Sequence, residues 1–288
     1  MTAASPPPLP NLVIGGAQKS GTTSLHFLLA KHPRVYFPAR PQEIHFFDLD
    51  ASYARGLEWY RRLFRGWAGE PVVGQTSPLY LFEPAVPLRL QAALPEARLL
   101  FILRHPAERA YSHYWHEVRY GFETLPFDQA LDREAERLRD GFEARRHYSY
   151  QARGRYGEQL ARFLERFPRQ QVLVLLQDHL RADAPALLRR CTDFLGLEPL
   201  AADTGSEKRR YNPSLQPRVP ALQRLVRHWR ERWPRLGYLV DAVNLRQKPY
   251  PPMAPAVRQR LEPLVAAEVA ALHRLAGVDA RCWLGDGA

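Results

Sequence analysis

The chain has 288 residues, 45% of them apolar, and a formal net charge of +11. That length and apolar content exclude wholesale disorder and allow one large α/β domain or two small ones. No run of ~18 uncharged apolar residues is present, as a membrane-spanning helix would need, and two cysteines, Cys191 and Cys282, are too few for a disulfide framework or a zinc site.

The charge favours an anionic partner, without choosing among nucleotides, acidic polymers and nucleic acid. No helix-turn-helix, zinc-finger or RNP pattern supports nucleic acid.

In chain order, residues 1–10 (MTAASPPPLP) have neither a basic start nor a long apolar run. They read as a short extended arm and not as a secretory signal. Residues 11–288 read as one domain. NLVIGG (11–16) is a short apolar run ending in glycines, a buried strand, and TTSLHFLLAKH (22–32) has helical spacing. RVYF (34–37) and EPVVGQTSP (70–78) each suggest a short strand; 51–64 and 82–95 suggest helices.

ARLLFILRHP (97–106) is the strongest strand pattern, followed by a helix over 107–118. An amphipathic helix over 153–167, an apolar strand over 171–177 and a helix over 184–197 come next. Segments 200–218 and 244–254, rich in Pro, Arg and polar residues, read as loops, and 254–277 closes the chain as helix. Alternating strands and helices with wholly apolar strands predict a single P-loop-like α/β domain, with a central parallel sheet flanked by helices. Cys191 lies in an apolar helical pattern and reads as a buried thiol, consistent with a reducing, cytoplasmic setting.

The stretch GGAQKSGTTSL (15–25) sits between the first strand and the first helix. Such a loop aims backbone N–H groups and a helix N-terminus at an anion. Gly16 and Gly21 keep the spacing of the nucleotide loop G-x-x-x-x-G-K-[ST], but Thr22 occupies the lysine position and Lys19 comes three positions early. The metal-holding aspartate of a nucleotide hydrolase is poorly matched too: Gln177 separates Asp178 from the apolar run.

QKSGTTSL resembles the 5′-phosphosulfate loop of the sulfotransferase superfamily, and FILRHPAERAYSHYWHE (101–117) resembles that family's 3′-phosphate segment. PQEIHFFDLDASYARGLEWYRRLF (41–64) is similar to the region after the first helix in the heparan-sulfate N- and 3-O-sulfotransferase branches. LRQKPYPPMAPAVRQRL (245–261) is similar to their last nucleotide loop. The resemblance implies 3′-phosphoadenosine 5′-phosphosulfate (PAPS) as co-substrate, no metal, and a carbohydrate or small-molecule acceptor carrying a hydroxyl or amine.

Under that resemblance Lys19 stabilises the leaving oxygen, while Ser20, Gly21, Thr22 and Thr23 hold the 5′-phosphate side. Arg104 and Ser112 bind the 3′-phosphate. Glu43 is the general base, with His45 as its rival two residues on. His116 matches a histidine near the leaving group. Arg246 and Lys248 belong to the last nucleotide loop, although Gln247 stands where a glycine is usual. Tyr156 flanks the adenine or packs in the core. Gln42 and Gln75 depart from the residues common in relatives, and both are expected to face the acceptor. Two other classes remain open at this stage: a P-loop nucleotide kinase or NTPase, and a basic binder of anionic polymers.

Overall fold

A computed structural model of the chain describes residues 7–200, 214–229 and 232–284. The described residues fall into two compact units. One is drawn from Met1–Arg104, Tyr156–Tyr211 and Val269–Cys282. The other is drawn from His105–Arg155, Asn212–Glu268 and Trp283–Ala288.

The first unit contains a parallel five-stranded sheet. Its strands are β1 (Leu12–Gly16), β2 (Val35–Tyr36), β3 (Val72–Thr76), β4 (Arg98–Leu103) and β5 (Val172–Leu176), in the order β2-β3-β1-β4-β5. β1 lies between β3 and β4, with Ile14 level with Thr76 on one side and Leu100 on the other. Helices flank the sheet, so β1 and β3 are buried along their whole length; β1 reads as an unbroken apolar run ending in glycines, while β3 also buries Gln75 and Thr76. The core joins Ile14, Leu100 and Leu175 of the sheet to Leu25 and Leu29 of the first helix and Leu187 and Cys191 of the helix Ala184–Leu195. Burial pushes the Cys191 thiol up to about 12; Cys282 is exposed, and both thiols are free.

At the end of β1, Gly16 has φ +145, and a Cβ there would lie 2.9 Å from Leu81 Cβ and 3.0 Å from Pro78 O. Only glycine lets the chain leave the sheet so close to its neighbour.

The second unit is mainly helical. Its longest early element, the helix Pro106–Tyr120, buries Arg109, whose guanidinium donates to the carbonyls of Ser149 and Tyr150. Buried carboxylates satisfy turn amides here. Glu123 accepts from Thr124 N (2.8 Å), Leu125 N (2.9 Å) and Tyr150 OH (2.8 Å) and pairs with Arg137, and Glu134 accepts from Gln151 N (2.7 Å) and Ala152 N (2.8 Å). Irregular backbone can lie inside the unit because these oxygens replace water.

Several elements differ from the sequence expectation. The helix expected over 51–64 is broken into Asp50–Tyr53, Gly56–Arg61 and a 3-10 turn, Arg62–Phe64, with Gly56, a poor helix former, at the break. Two segments read as loops instead pair as an antiparallel ribbon, β6 (Leu215–Pro217) with β7 (Leu245–Gln247). Their Pro and Arg content hid it, because strands this short and half-exposed need no apolar run. Residues 201–213 of the first of those loops, and residues 1–6 of the N-terminal arm, lie outside the described residues.

Leu100 is fully buried at the centre of the sheet. Leu100→Ala is expected to cost about 3 kcal/mol of stability in guanidinium unfolding; a cost under about 1 kcal/mol would place the core elsewhere.

Candidate active site

Three strand ends meet around β1. Ala17 N donates to Ile102 O (2.8 Å), Leu81 N to Gly15 O (2.8 Å) and Ser77 N to Ile14 O (3.0 Å). The chain then turns through residues 17–21, closed by Ser20 N donating to Ala17 O (3.2 Å). Lys19 takes a left-handed backbone conformation, φ 68, unusual for a residue with a side chain.

The helix Thr22–Leu29 starts at Gly21, φ +103, which has no side chain to cap it. The wholly buried Ser20 hydroxyl finds no hydrogen-bond partner among the described residues. An uncapped helix start beside a buried hydroxyl suits a phosphate, and these residues fit one.

Arg104 follows β4. Its Nη1 reaches the carbonyl of Lys19 at 3.5 Å, and its own carbonyl accepts from Tyr156 OH at 2.7 Å. The turn after β1 and the end of β4 are thus joined by a guanidinium, and a phenol anchors that guanidinium's backbone. Tyr156 is wholly buried.

The segment carrying Glu43 is not a strand but is held like one. Ile44 N donates to Thr76 O (2.9 Å) at the end of β3. The buried Tyr80 hydroxyl accepts from Phe46 N (3.3 Å) and Phe47 N (3.2 Å) and donates to Ile44 O (2.9 Å). Gln75 is also wholly buried, its Oε1 3.5 Å from that hydroxyl, so it cannot face an acceptor as expected; Gln42 is exposed.

His45 joins two carboxylates of unlike access. Its Nδ1 is 2.6 Å from Asp48 Oδ2 and its Nε2 is 3.7 Å from Glu43 Oε2; the Asp48 side chain is 0% exposed and that of Glu43 is 45% exposed. Burial alone would lower the His45 pKa. The hydrogen bonds and charges of Asp48 and Glu43 outweigh it and raise the imidazole to about 9. The opposite holds for His26, which burial lowers to about 4 against the pull of Glu43; its Nδ1 lies 2.9 Å from Thr76 Oγ1. At neutral pH His45 is therefore a cation with both nitrogens protonated, and it has no lone pair to accept a proton. Glu43 is the carboxylate of the group open to solvent.

The sulfotransferase domain family matches residues 9–216. The chain belongs to this family. A crystal structure of a sulfotransferase from Alicyclobacillus acidocaldarius aligns at TM-score 0.72 and 31% identity, over 96% of this chain and 99% of that one. The human bifunctional heparan sulfate N-deacetylase/N-sulfotransferase 2 is 33% identical over 213 residues, 66% of this chain and 22% of the relative. The mouse heparan sulfate glucosamine 3-O-sulfotransferase 5 is 32% identical over 200 residues, 66% of this chain and 54% of the relative. The chain thus spans between about a fifth and about half of these curated relatives.

In this sulfotransferase, Lys19, Ser20, Gly21, Thr22, Thr23, Glu43, Arg104 and Tyr156 all fall in the first unit. Ser112, His116, Arg246 and Lys248 fall in the second. Ser112 and His116 are half-buried, four residues apart on the helix Pro106–Tyr120, and the His116 ring meets Tyr120 edge-on at 4.9 Å. Arg246 is exposed on β7, and Lys248 follows it, its amide donating to Ser214 O at 3.2 Å.

Sequence reasoning missed Asp48, Tyr80 and His26. The spacing of His45 and Asp48 was a usable signal for one of them; the Tyr80 clamp bridges more than thirty residues and carries none. No helix among the described residues is long and apolar enough to cross a membrane.

Because the folded pKa of His45 lies above its ordinary 6.5, this ion group stabilises the fold fully below about pH 6.5 and loses its contribution as pH rises through about 9. In an NMR titration the His45 imidazole is expected to titrate near 9, and Asp48→Asn to bring it down. A wild-type value below about 7 would contradict the ion group.

Proposed function

We propose that this chain transfers a sulfuryl group from PAPS to a hydroxyl or amine of a carbohydrate or small-metabolite acceptor. The observation that carries the proposal is the contact of the Arg104 guanidinium with the Lys19 backbone. It puts a cation able to fork onto a phosphate against the loop that offers a helix N-terminus.

PAPS supplies a sulfuryl group bonded to a phosphate that departs. The chain's own residues must hold that phosphate, neutralise the charge left behind and take the acceptor's proton. Ser20, Gly21, Thr22 and Thr23 are assigned to the 5′-phosphate side. Lys19 is assigned to the departing oxygen: its backbone is fixed in the turn, and its four-carbon stem can still carry an ammonium to the charge as it forms. Arg104 and Ser112 are assigned to the 3′-phosphate, His116 to the neighbourhood of the leaving group, and Arg246 and Lys248 to the last nucleotide loop. The buried position of Tyr156 favours a positioning role, with its phenol fixing the Arg104 carbonyl.

Glu43 is assigned as general base. A base must be unprotonated and reachable. Asp48 is sealed from solvent and His45 is held as a cation until about pH 9, which leaves Glu43 as the reachable carboxylate of the group. His45 then keeps the Glu43 carboxylate in place and offsets its charge, and Asp48 holds His45.

The names of the relatives point to a sulfated polysaccharide as their acceptor. For this chain the proposal stops at a carbohydrate or small metabolite, because the exposed Gln42 stands where the 3-O-branch often has lysine.

Calorimetry with 3′,5′-ADP and with ATP separates this reading from a nucleotide kinase: the first nucleotide is expected to bind without added metal and in preference to the second. Glu43→Gln is expected to cut turnover by at least about a hundredfold while 3′,5′-ADP affinity stays within about threefold. Normal turnover by that variant would remove Glu43 as the base, and preference for ATP would remove the donor assignment.

A further inference from the structure

Two helices of the second unit present their surfaces the wrong way round. In the helix Pro234–Asn244, the buried positions are Gly237 and Asn244, with Asp241 half-buried between them. Asn244 is pinned by two hydrogen bonds, accepting from Val219 N (2.8 Å) and donating to Val219 O (2.9 Å), and Asp241 accepts from Gln223 Nε2 (3.2 Å). Most of the leucines and valines face out: Leu239 is 66% exposed and Val243 74%, with Leu236 and Tyr238 exposed beside them and Val240 half-buried. The helix Pro220–Val226 is mixed: Gln223 is wholly buried and Val226 is buried beside it, while Leu225 is 69% exposed. Trp229 and Trp233, between the two helices, are each more than half exposed. An ordinary surface helix turns its apolar stripe inward; here hydrogen bonds hold polar side chains in and leave much of the apolar surface without cover.

The charge around this face decides what fits it. Residues 218–243 contain six Arg against two acidic residues, one of them the inward-turned Asp241. Arg224, Arg232 and Arg235 are exposed on the same two helices and their connection. Exposed Leu and Trp among arginines suit the boundary of an anionic lipid bilayer, where acyl chains take the apolar groups and headgroup phosphates the cations. A second copy of the chain fits poorly. In a two-fold interface the same patch meets itself, so like-charged arginine rims would face each other. An acidic polymer would engage the arginines and leave Leu239 and Val243 exposed.

We propose that the face formed by the helices Pro220–Val226 and Pro234–Asn244 is a peripheral docking surface for an anionic membrane. The proposal does not depend on the donor or base assignments, and 3′,5′-ADP binding serves as an independent check that variants are folded.

The test is co-sedimentation of the full chain with phosphatidylcholine vesicles, alone or containing about one third phosphatidylserine, alongside light scattering for oligomeric state. The wild-type chain is expected to pellet with the anionic vesicles at least about tenfold better than with the neutral ones, and less well at high salt. The double variant Leu239→Glu/Val243→Glu is expected to lose at least about tenfold of that binding while keeping its melting temperature and 3′,5′-ADP affinity. Arg224→Glu/Arg235→Glu should weaken it similarly. No preference for anionic vesicles overturns the proposal. Unchanged binding by the Leu239/Val243 variant does so as well, because charge alone would then suffice. A wild-type dimer that this variant converts to monomer assigns the face to a second copy and overturns it too.

Discussion

The amide of Ala17 donates to the carbonyl of Ile102, and the site proposed for this sulfotransferase depends on that bond. It fixes the turn after β1 to the end of β4, as the Leu81 amide fixes the other side of β1 through Gly15 O. A central parallel strand with neighbours on both sides can be stitched this way at one end only, where the chain leaves all three strands in the same direction. The lysine turn, the Thr76–Ser77 end of β3 and Arg104 therefore emerge together. Gly16 is the condition for it, since a side chain there would collide with Leu81.

The segment carrying Glu43 needs a different device. It has no strand partner beyond the Ile44–Thr76 bond, and its backbone groups are buried among aromatic side chains. Tyr80 supplies the missing partners. One hydroxyl takes two amides and gives its proton to a carbonyl, and three residues are fixed without a ladder. The rings of Phe46 and Tyr60 stack at 4.4 Å beneath it, so this loop is packed like core while Glu43 stays at the surface. A rigid support under an accessible carboxylate is what a positioned proton acceptor requires.

The parts of this arrangement legible in the sequence are those set by local chemistry. β1, β4 and β5 announce themselves because a doubly covered parallel strand is apolar throughout, and the turn after β1 because glycines and hydroxyls bracket a lysine. What could not be read depends on distant partners. Asp48 is the near case: its spacing of three residues from His45 hints at a pair, but the pair forms only because the 45–48 stretch curls back on itself. Gln75 follows a glycine in a strand with a polar end, and its burial against Tyr80 comes from a residue five positions on. The ribbon of β6 and β7 escapes because each strand is three residues long with proline or arginine in it. The helices Pro220–Val226 and Pro234–Asn244 escape as well, since much of their apolar surface is exposed and their buried positions include Gln223 and Asn244.

The displaced lysine can now be argued from packing. In a triphosphate-binding loop the lysine would occupy position 22, on the first turn of the helix. Here the Thr22 side chain is 3% exposed, and an ammonium placed there would have to be stripped of water. Position 19 lies in the turn itself, with its backbone left-handed and its carbonyl held by Arg104. Its backbone lies in the turn, ahead of the helix that starts at Thr22. A lysine under the loop would hold bound phosphates; one in the turn can follow charge that develops as a bond to phosphate breaks. Under the proposed function, the burial of Thr22 and the turn position of Lys19 suit this loop to a departing phosphate more than to a triphosphate.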